Sequence, residues 1–156
     1  AAFSGCSKNW PSSRTVRMLG LEDVTFTGSV PVAEYLPKMD ILVLSSISEG
    51  QPLAVLEGFS AHRPYVTTDV GCCRELIYGD SNDTLGTAGA VVAPMDYESM
   101  AYEILRLARS YELRRSMAAV GFARTQAHYT YEQFIDAYRI AYERERKEGA
   151  HGGRRI

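Results

Sequence analysis

Short apolar runs alternate along this chain with segments in which apolar residues recur at helical spacing. The central run, Asp40–Ser46, is apolar between its two ends, and its length and branched side chains predict a buried strand. Shorter strands are predicted at Val24–Thr27, Tyr65–Thr68 and Ala90–Ala93. We therefore expect strands and helices to alternate along most of the chain.

Helices are predicted between these strands and after the last one. The shorter helices are Val32–Lys38, Leu53–Ala61 and Cys72–Ile77. Three more helices close the chain; Asp96 can cap the first, and Thr130–Gln133 forms a capping-box pattern at the start of the third. The third helix has an apolar stripe that we expect to lie in the core, consisting of Phe134, Ile135, Tyr138, Ala141 and Tyr142.

This alternation predicts an α/β fold with a Rossmann-like parallel sheet, helices on both faces and a C-terminal group of helices. Residues 1–20 have little strand or helical period, so we expect an irregular or truncated lead-in there, although Val16–Leu19 fits the last turn of a helix that ends at Gly20. Residues 21–146 are predicted to form one domain, and residues 147–156 a flexible tail.

The composition is that of an ordinary globular domain, since 46% of the 156 residues are hydrophobic and 23% are charged. The formal net charge is −2 without a basic stripe, which argues against a nucleic-acid partner. The three cysteines lack a C-x-x-C pair, which favours a reduced, cytoplasmic protein. We see no signal-peptide pattern, no zinc-site spacing, and no apolar run near the roughly 18 residues of a transmembrane helix.

The loop between the central strand and the next helix has the most suggestive chemistry. Gly50 permits a tight turn, and Pro52 suits the first position of a helix. The start of a helix attracts anions, because its N–H groups are free and its dipole is positive there. Glu49 and Glu57 need hydrogen-bond donors or water, and sugar or ribose hydroxyls are suitable donors. Taken singly, each is more simply interpreted as a solvent-facing glutamate.

A family resemblance links these residues. Seven residues separate the two glutamates in Ser48-Glu-Gly-Gln-Pro-Leu-Ala-Val-Leu-Glu-Gly-Phe59. This segment resembles the E-x7-E segment of family 4 glycosyltransferases, which are retaining enzymes of the GT-B fold. The resemblance covers about residues 20–145 and includes Val24–Gly28, Tyr35–Ser46, Pro64–Gly71 and Arg74–Ile77. The sequences Gly-Gln-Pro at 50–52 and Asp-Val-Gly-Cys-Cys-Arg-Glu-Leu-Ile at 69–77 are most similar to Pel-type exopolysaccharide glycosyltransferases.

The resemblance implies a nucleotide-sugar-binding domain at residues 21–146, with Glu49 as the catalytic residue. The donor-binding positions that it implies are Gly28, Ser29, Gly50, Gln51, Pro52, Leu53 and Glu57. Glu57 would hold the ribose, while Glu49 and nearby backbone groups would hold the sugar and phosphates. Gly28 and Ser29 lie where the family places the base, and Pro52 shapes the loop. These positions fall in loops at the carboxyl ends of the predicted strands, where parallel sheets bind ligands.

The sequence also departs from the family pattern. Family members have an earlier loop with an Arg and a Lys that bind the diphosphate, and Lys8 and Arg14 are poor substitutes because no Gly-rich strand–loop surrounds them. The fold is thus expected to be incomplete at its N-terminal side, with the acceptor-binding domain outside this sequence. Cys72 replaces a frequent glycine after Gly71, which would narrow the space beside the phosphates.

The resemblance therefore implies the donor-binding portion of a retaining glycosyltransferase. It would transfer a sugar from UDP-glucose or another UDP-sugar to a polysaccharide or other hydroxyl acceptor, without a required metal or other cofactor. We expect this chain alone to be inactive, and peripheral association with a membrane synthesis complex stays open. Two alternatives are a non-catalytic nucleotide-sugar-binding or assembly module and a GT-B nucleotide-sugar epimerase.

Overall fold

The structure is a computed structural model that describes residues 2–4 and 11–151, with side chains from residue 14 to residue 146. It contains two units, Ala1–Lys38 and Met39–Ile156, and each is described by itself. The predicted domain boundaries at residues 20/21 and 146/147 stay predictions.

The first unit contains a small parallel sheet in which strand β1 (Ala2–Ser4) pairs with strand β2 (Thr25–Gly28). Helix α1 (Pro11–Met18) lies between them in the sequence, and helix α2 (Val32–Tyr35) is followed by a 3-10 turn, Leu36–Lys38. Strand β1 and helix α1 correct the expectation of an irregular lead-in. Pro11 in fact occupies the first position of α1, where its missing N–H has no intrahelical acceptor to lose. Lys8 lies outside the described residues.

The end of α1 follows the sequence prediction. Gly20 has a φ of +65°. The N–H of Leu21 donates to the carbonyl of Val16 at 3.1 Å, and the N–H of Gly20 donates to that of Arg17 at 3.2 Å. These two bonds form the Schellman motif, which satisfies carbonyls at the end of a helix.

The second unit is built on a three-stranded parallel sheet in the order β3–β4–β5. The strands are β3 (Leu42–Leu44), β4 (Tyr65–Thr68) and β5 (Gly89–Val92). Tyr65 is in register with Leu42 on one side and Gly89 on the other. All four residues of β4 are buried, as expected for the central strand of a sheet covered on both faces. The predicted strands are confirmed, with differences of one or two residues at their ends. The predicted burial of the strand after Asp40 is only partly met, because β3 lies at the end of the strand order in this sheet and Val43 is 45% exposed.

Five helices of this unit follow the predicted order: α3 (Leu53–Ser60), α4 (Cys73–Tyr78), α5 (Tyr97–Ala108), α6 (Tyr111–His128) and α7 (Tyr131–His151). The side chain of Asp96 caps α5 by accepting from the N–H of Ser99 at 3.0 Å. Hydrogen bonding from the side chain of Ser99, together with this backbone bond, lowers the pKa of Asp96. The N–H of Thr130 donates to Gln133 Oε1 at 3.0 Å, and the N–H of Gln133 donates to Thr130 Oγ1 at 3.3 Å. Both predicted caps are confirmed, and the α/β fold with a helix-flanked parallel sheet is observed.

Two glycines let helices lie close to their neighbours in the second unit. A Cβ at Gly58 on α3 would overlap the side chains of Tyr65 and Leu42, so α3 lies directly on β3 and β4. A Cβ at Gly121 on α6 would meet the ring of Phe59, so α6 lies against α3. A cluster around Val66 and Leu107 fills another part of the core with Met117, Ile41, Met100, Ile104 and Leu113.

Arg124 on α6 is the largest fully buried side chain among residues 14–146. Its guanidinium donates to both carboxylate oxygens of Asp83 and to the backbone carbonyls of Leu76, Ile77 and Gly86. These bonds hold α6 against the end of α4 and the loop that leads to β5. They also explain how two charges are tolerated at only 1% and 2% side-chain exposure.

Helix α7 differs from expectation in two ways. Its aromatic stripe is exposed rather than in the core, with Phe134, Tyr138 and Tyr142 at 55%, 52% and 71% exposure. The periodicity correctly marks one apolar face, but periodicity does not say whether another element covers that face. The helix also continues to His151, so residues 147–151 are helical rather than a flexible tail. The remaining predicted tail, residues 152–156, lies outside the described residues.

Candidate active site

The loop between β3 and α3 presents Glu49 at the carboxyl edge of the sheet. Glu49 is half-buried, and its Oε1 accepts a hydrogen bond from Ser46 Oγ at 2.6 Å. Ser46 is in turn held by Thr68 at the end of β4, because Thr68 Oγ1 donates to the Ser46 carbonyl. The first predicted acid is therefore fixed to the sheet through two hydrogen bonds.

The loop between β4 and α4 closes directly on the Glu49 loop. The N–H of Cys72 donates to the Gly50 carbonyl at 3.0 Å. Gly71 has a φ of +52°, and a Cβ at this position would overlap the backbone carbonyls of Gly50 and Glu49. Glycine is thus required at residue 71 for two independent reasons, its backbone angle and the approach of the two loops.

Helix α3 begins at Leu53, and Pro52 is its N-cap residue, with φ −74° and ψ 103°. The sequence predicted Pro52 at the first helical position. It lies one position earlier, as the N-cap, because its ψ is that of an extended residue. Leu53 is 67% exposed at the start of the helix, and Gln51 and Gly50 are also exposed. Because Gly50 has no side chain, its exposure is exposure of the backbone at this edge of the unit, whereas Pro52 is buried.

Glu57 lies on α3 with an exposed side chain that no described residue contacts by a hydrogen bond or an ion pair. The helix beneath it is fixed by Tyr65 of β4, whose hydroxyl donates to the Ala54 carbonyl at 2.6 Å. Burial raises the pKa of Tyr65, and the charge of Glu57 adds to this effect. Tyr65 is therefore a neutral structural donor, and Glu57 is the group that α3 presents to a ligand or to water.

Asp69 and Arg74 form a charged pair beside the loop between β4 and α4. Arg74 donates from Nε and Nη2 to the carboxylate of Asp69, with an Nε–Oδ1 distance of 3.2 Å. The hydrogen bond from Arg74 lowers the pKa of Asp69. Partial burial raises the pKa of the neighbouring Cys72 thiol, so this cysteine is not activated as a thiolate.

Gly28 and Ser29 belong to the first unit. Gly28 ends β2 with a φ of +67°, and Ser29 is exposed after it. Among the predicted site residues, the second unit brings Glu49, Gly50 and the start of α3 to one edge. A common site for them with Gly28 and Ser29 stays a prediction.

The sequence did not predict a cavity of about 190 Å³ that lies elsewhere in the second unit. It is lined by residues of α4, of the loop after α4, of α6 and of the position that follows α6, namely Glu75, Gly79, Asp80, Asp83, Arg124, His128 and Tyr129. None of the predicted donor residues lines it. Within residues 2–4 and 11–151, no group of three or more His, Cys, Asp and Glu side chains is arranged to hold a metal ion.

No helix in the described part of the chain has the length and apolar character needed to cross a membrane.

Comparison with known proteins shows a family match. The family model described as "Glycosyl transferases group 1" matches residues 5–110. The chain is 29% identical over 130 residues to a lipopolysaccharide core biosynthesis mannosyltransferase of Rhizobium meliloti, and 36% identical over 104 residues to an alpha-D-kanosaminyltransferase of Streptomyces kanamyceticus.

A third relative, an O-antigen biosynthesis glycosyltransferase of Escherichia coli, is 29% identical over 118 residues. The three alignments cover 82%, 64% and 76% of this chain but only 36%, 25% and 31% of the relatives. The chain therefore spans about a quarter to a third of the length of these curated relatives.

Solved structures show the same fold. A sucrose-phosphate synthase from Thermosynechococcus elongatus matches with a TM-score of 0.75 at 21% identity, over 91% of this chain and 38% of that one. The C-terminal domain of a glycosyl transferase group 1 family protein from Francisella tularensis matches with a TM-score of 0.65 at 24% identity, over 76% of this chain and 60% of that one. The architecture is that of GT-B glycosyltransferase domains.

Proposed function

Because the chain belongs to the group 1 glycosyl transferase family, we propose that it is the donor-binding part of a retaining, family 4 glycosyltransferase. Its donor is UDP-glucose or another UDP-sugar, and its acceptor is a hydroxyl group of a growing polysaccharide or another glycan. The resemblance at residues 50–52 and 69–77 favours exopolysaccharide synthesis of the Pel type. We assign acceptor binding to a domain outside this chain.

One observation carries this proposal. The loops after β3 and β4 are in contact around Glu49, at the carboxyl ends of two adjacent parallel strands. Ligands of open parallel sheets bind at that edge, because the loops that follow the strands gather there. The two acids of the E-x7-E segment belong to this edge and to the helix that starts from it.

The chemistry of these groups suits a nucleotide sugar. Carboxylates accept hydrogen bonds from vicinal hydroxyls, so Glu57 can hold a ribose and Glu49 a sugar. The backbone N–H groups of Gly50, Gln51 and Leu53 can donate hydrogen bonds to phosphate oxygens, and the positive end of the α3 dipole favours the negative charge there. Pro52 has no N–H to donate. The protein then accelerates transfer by positioning the donor and by stabilising charge on the leaving diphosphate.

The proposal is tested by calorimetric titration of UDP into this chain, with GDP and ADP for comparison. We expect selective binding of UDP. Glu57→Gln should weaken that binding by about 1–3 kcal/mol, or about 5- to 150-fold in Kd, because it removes charge from a hydrogen bond to ribose. Glu98→Gln is the matched control, since Glu98 is an exposed glutamate in the first turn of α5.

Equal weakening by both substitutions would contradict the ribose assignment. The absence of nucleotide binding in a folded sample would contradict the donor site in this chain. If binding is found, adding a relative's acceptor domain to the chain tests transfer. A glycosylated acceptor supports the transferase, an isomerised UDP-sugar indicates an epimerase, and binding without either product indicates a non-catalytic module.

A further inference from the structure

The carboxylate of Glu49 is held at one oxygen and open at the other. Oε1 accepts from Ser46 Oγ at 2.6 Å, a distance typical of a hydroxyl bound to a charged carboxylate. Oε2 has no hydrogen-bond partner in the described part of the chain. Oε2 is also not one of the fully buried side-chain atoms among the described residues, so it remains accessible to a ligand hydroxyl.

Ser46 is itself held by β4, the buried middle strand of the sheet in this unit. Thr68 is the last residue of β4, is 3% exposed, and donates from its hydroxyl to the Ser46 carbonyl. The next residue, Asp69, continues the ladder by donating from its N–H to the Val92 carbonyl at 2.8 Å. Two short hydrogen bonds therefore link β4 to the carboxylate of Glu49. One joins Thr68 to the Ser46 carbonyl, and the other joins the Ser46 hydroxyl to Glu49.

We propose that Ser46 is a positioning residue, fixed by Thr68, that holds Glu49 so that Oε2 faces the sugar of the donor. The assignment of the sugar to Glu49 rests on the proposed function. A glutamate on a loop has three side-chain torsions, and ordering them on binding reduces affinity. Holding the carboxylate in advance removes part of that loss, so Ser46 contributes to binding without touching the ligand.

A double-mutant cycle distinguishes this role from a general structural one. The affinity for UDP-glucose and for UDP is measured by calorimetry in wild type, Ser46→Ala, Glu49→Ala and the double variant. In the wild-type background, Ser46→Ala should weaken UDP-glucose binding about two- to tenfold, as expected for one hydrogen bond, and leave UDP binding unchanged. In the Glu49→Ala background, it should have no further effect.

Two control variants accompany the cycle. Ser46→Thr keeps the hydroxyl and should restore UDP-glucose binding. Ser110→Ala removes another serine hydrogen bond, the cap of α6 at 3.2 Å from the Leu113 N–H, and should lower stability without changing UDP-glucose affinity. An equal loss from Ser46→Ala in both Glu49 backgrounds would overturn the proposal.

A crystal structure of Ser46→Ala separates failure of the proposal from failure of the proposed function. If wild type binds neither UDP-glucose nor UDP, the donor assignment fails, but the effect of Ser46 on Glu49 is still decided by the position of the carboxylate. A Glu49 side chain that leaves its wild-type rotamer supports positioning. A Glu49 side chain that keeps that rotamer refutes it, whatever the binding data show.

Discussion

The contact between the two loops at the sheet edge makes Gly71→Ala the most informative substitution for stability. Alanine at a φ of +52° is strained by about 1–2 kcal/mol, because its Cβ crowds the following carbonyl oxygen. The new Cβ would also overlap the carbonyls of Gly50 and Glu49, which are backbone atoms and cannot rotate away. Separating the loops to relieve this overlap adds about 1–3 kcal/mol. We therefore expect the free energy of unfolding to fall by about 2–5 kcal/mol.

Gly50→Ala is the matched control for this prediction. Gly50 lies on the other side of the same contact, but a Cβ there meets no atom within 4 Å. Its φ is also outside the left-handed region, so alanine should change stability by less than about 0.5 kcal/mol. The two variants therefore add one methyl group to the same pair of loops with very different expected results.

Urea denaturation followed by circular dichroism measures the change, and amide hydrogen exchange of β4 assigns it to the second unit. The expected order of stability is wild type equal to Gly50→Ala and well above Gly71→Ala. A Gly71→Ala protein as stable as wild type would mean that the two loops do not meet as the structure describes, and the site built on that contact would lose its support.

Two further predictions concern the second unit. Arg124→Met should lower the free energy of unfolding by about 3–5 kcal/mol in urea denaturation, because it leaves Asp83 buried without its partner. The hydrogen bond from Arg124 lowers the pKa of Asp83 in the folded protein. The contribution of this pair to the free energy of unfolding should therefore be complete above about pH 4 and be lost as the pH falls through the lowered pKa. A free energy of unfolding that stays constant over this acid range would contradict the pairing. Tyr138→Ser on the exposed face of α7 should change stability by less than about 0.5 kcal/mol, and a larger loss would show that the face is covered.

Local chemistry explains which features of the fold were predictable. The strand Tyr65–Thr68, the cap at Asp96 and the helix end at Gly20 each depend on a few neighbouring residues, and the structure reproduces all three. The ion pair between Asp83 and Arg124 joins residues 41 positions apart, so no local pattern indicates it. The strand Ala2–Ser4 was missed because three residues are too few to establish a period.

The candidate site was partly predictable for the same reason. The spacing of Glu49 and Glu57 is visible in the sequence, whereas the anchoring of Glu49 depends on tertiary structure. The hydroxyl of Thr68 reaches Ser46 across 22 positions, and that contact exists only because β3 and β4 are parallel neighbours. Sequence patterns could therefore nominate the acids but not the residues that position them.

Strand β4 positions both of the segments that present the candidate acids Glu49 and Glu57. At its start, Tyr65 holds the first turn of α3, the helix that presents Glu57, by a hydrogen bond to Ala54. At its end, Thr68 holds Ser46, which holds Glu49. Both acids are therefore positioned by hydrogen bonds from one buried strand. The distance between them depends on the packing of that strand as well as on the loops. It follows that substitutions in β4 should change donor binding through geometry, even though none of its side chains is expected to touch the donor.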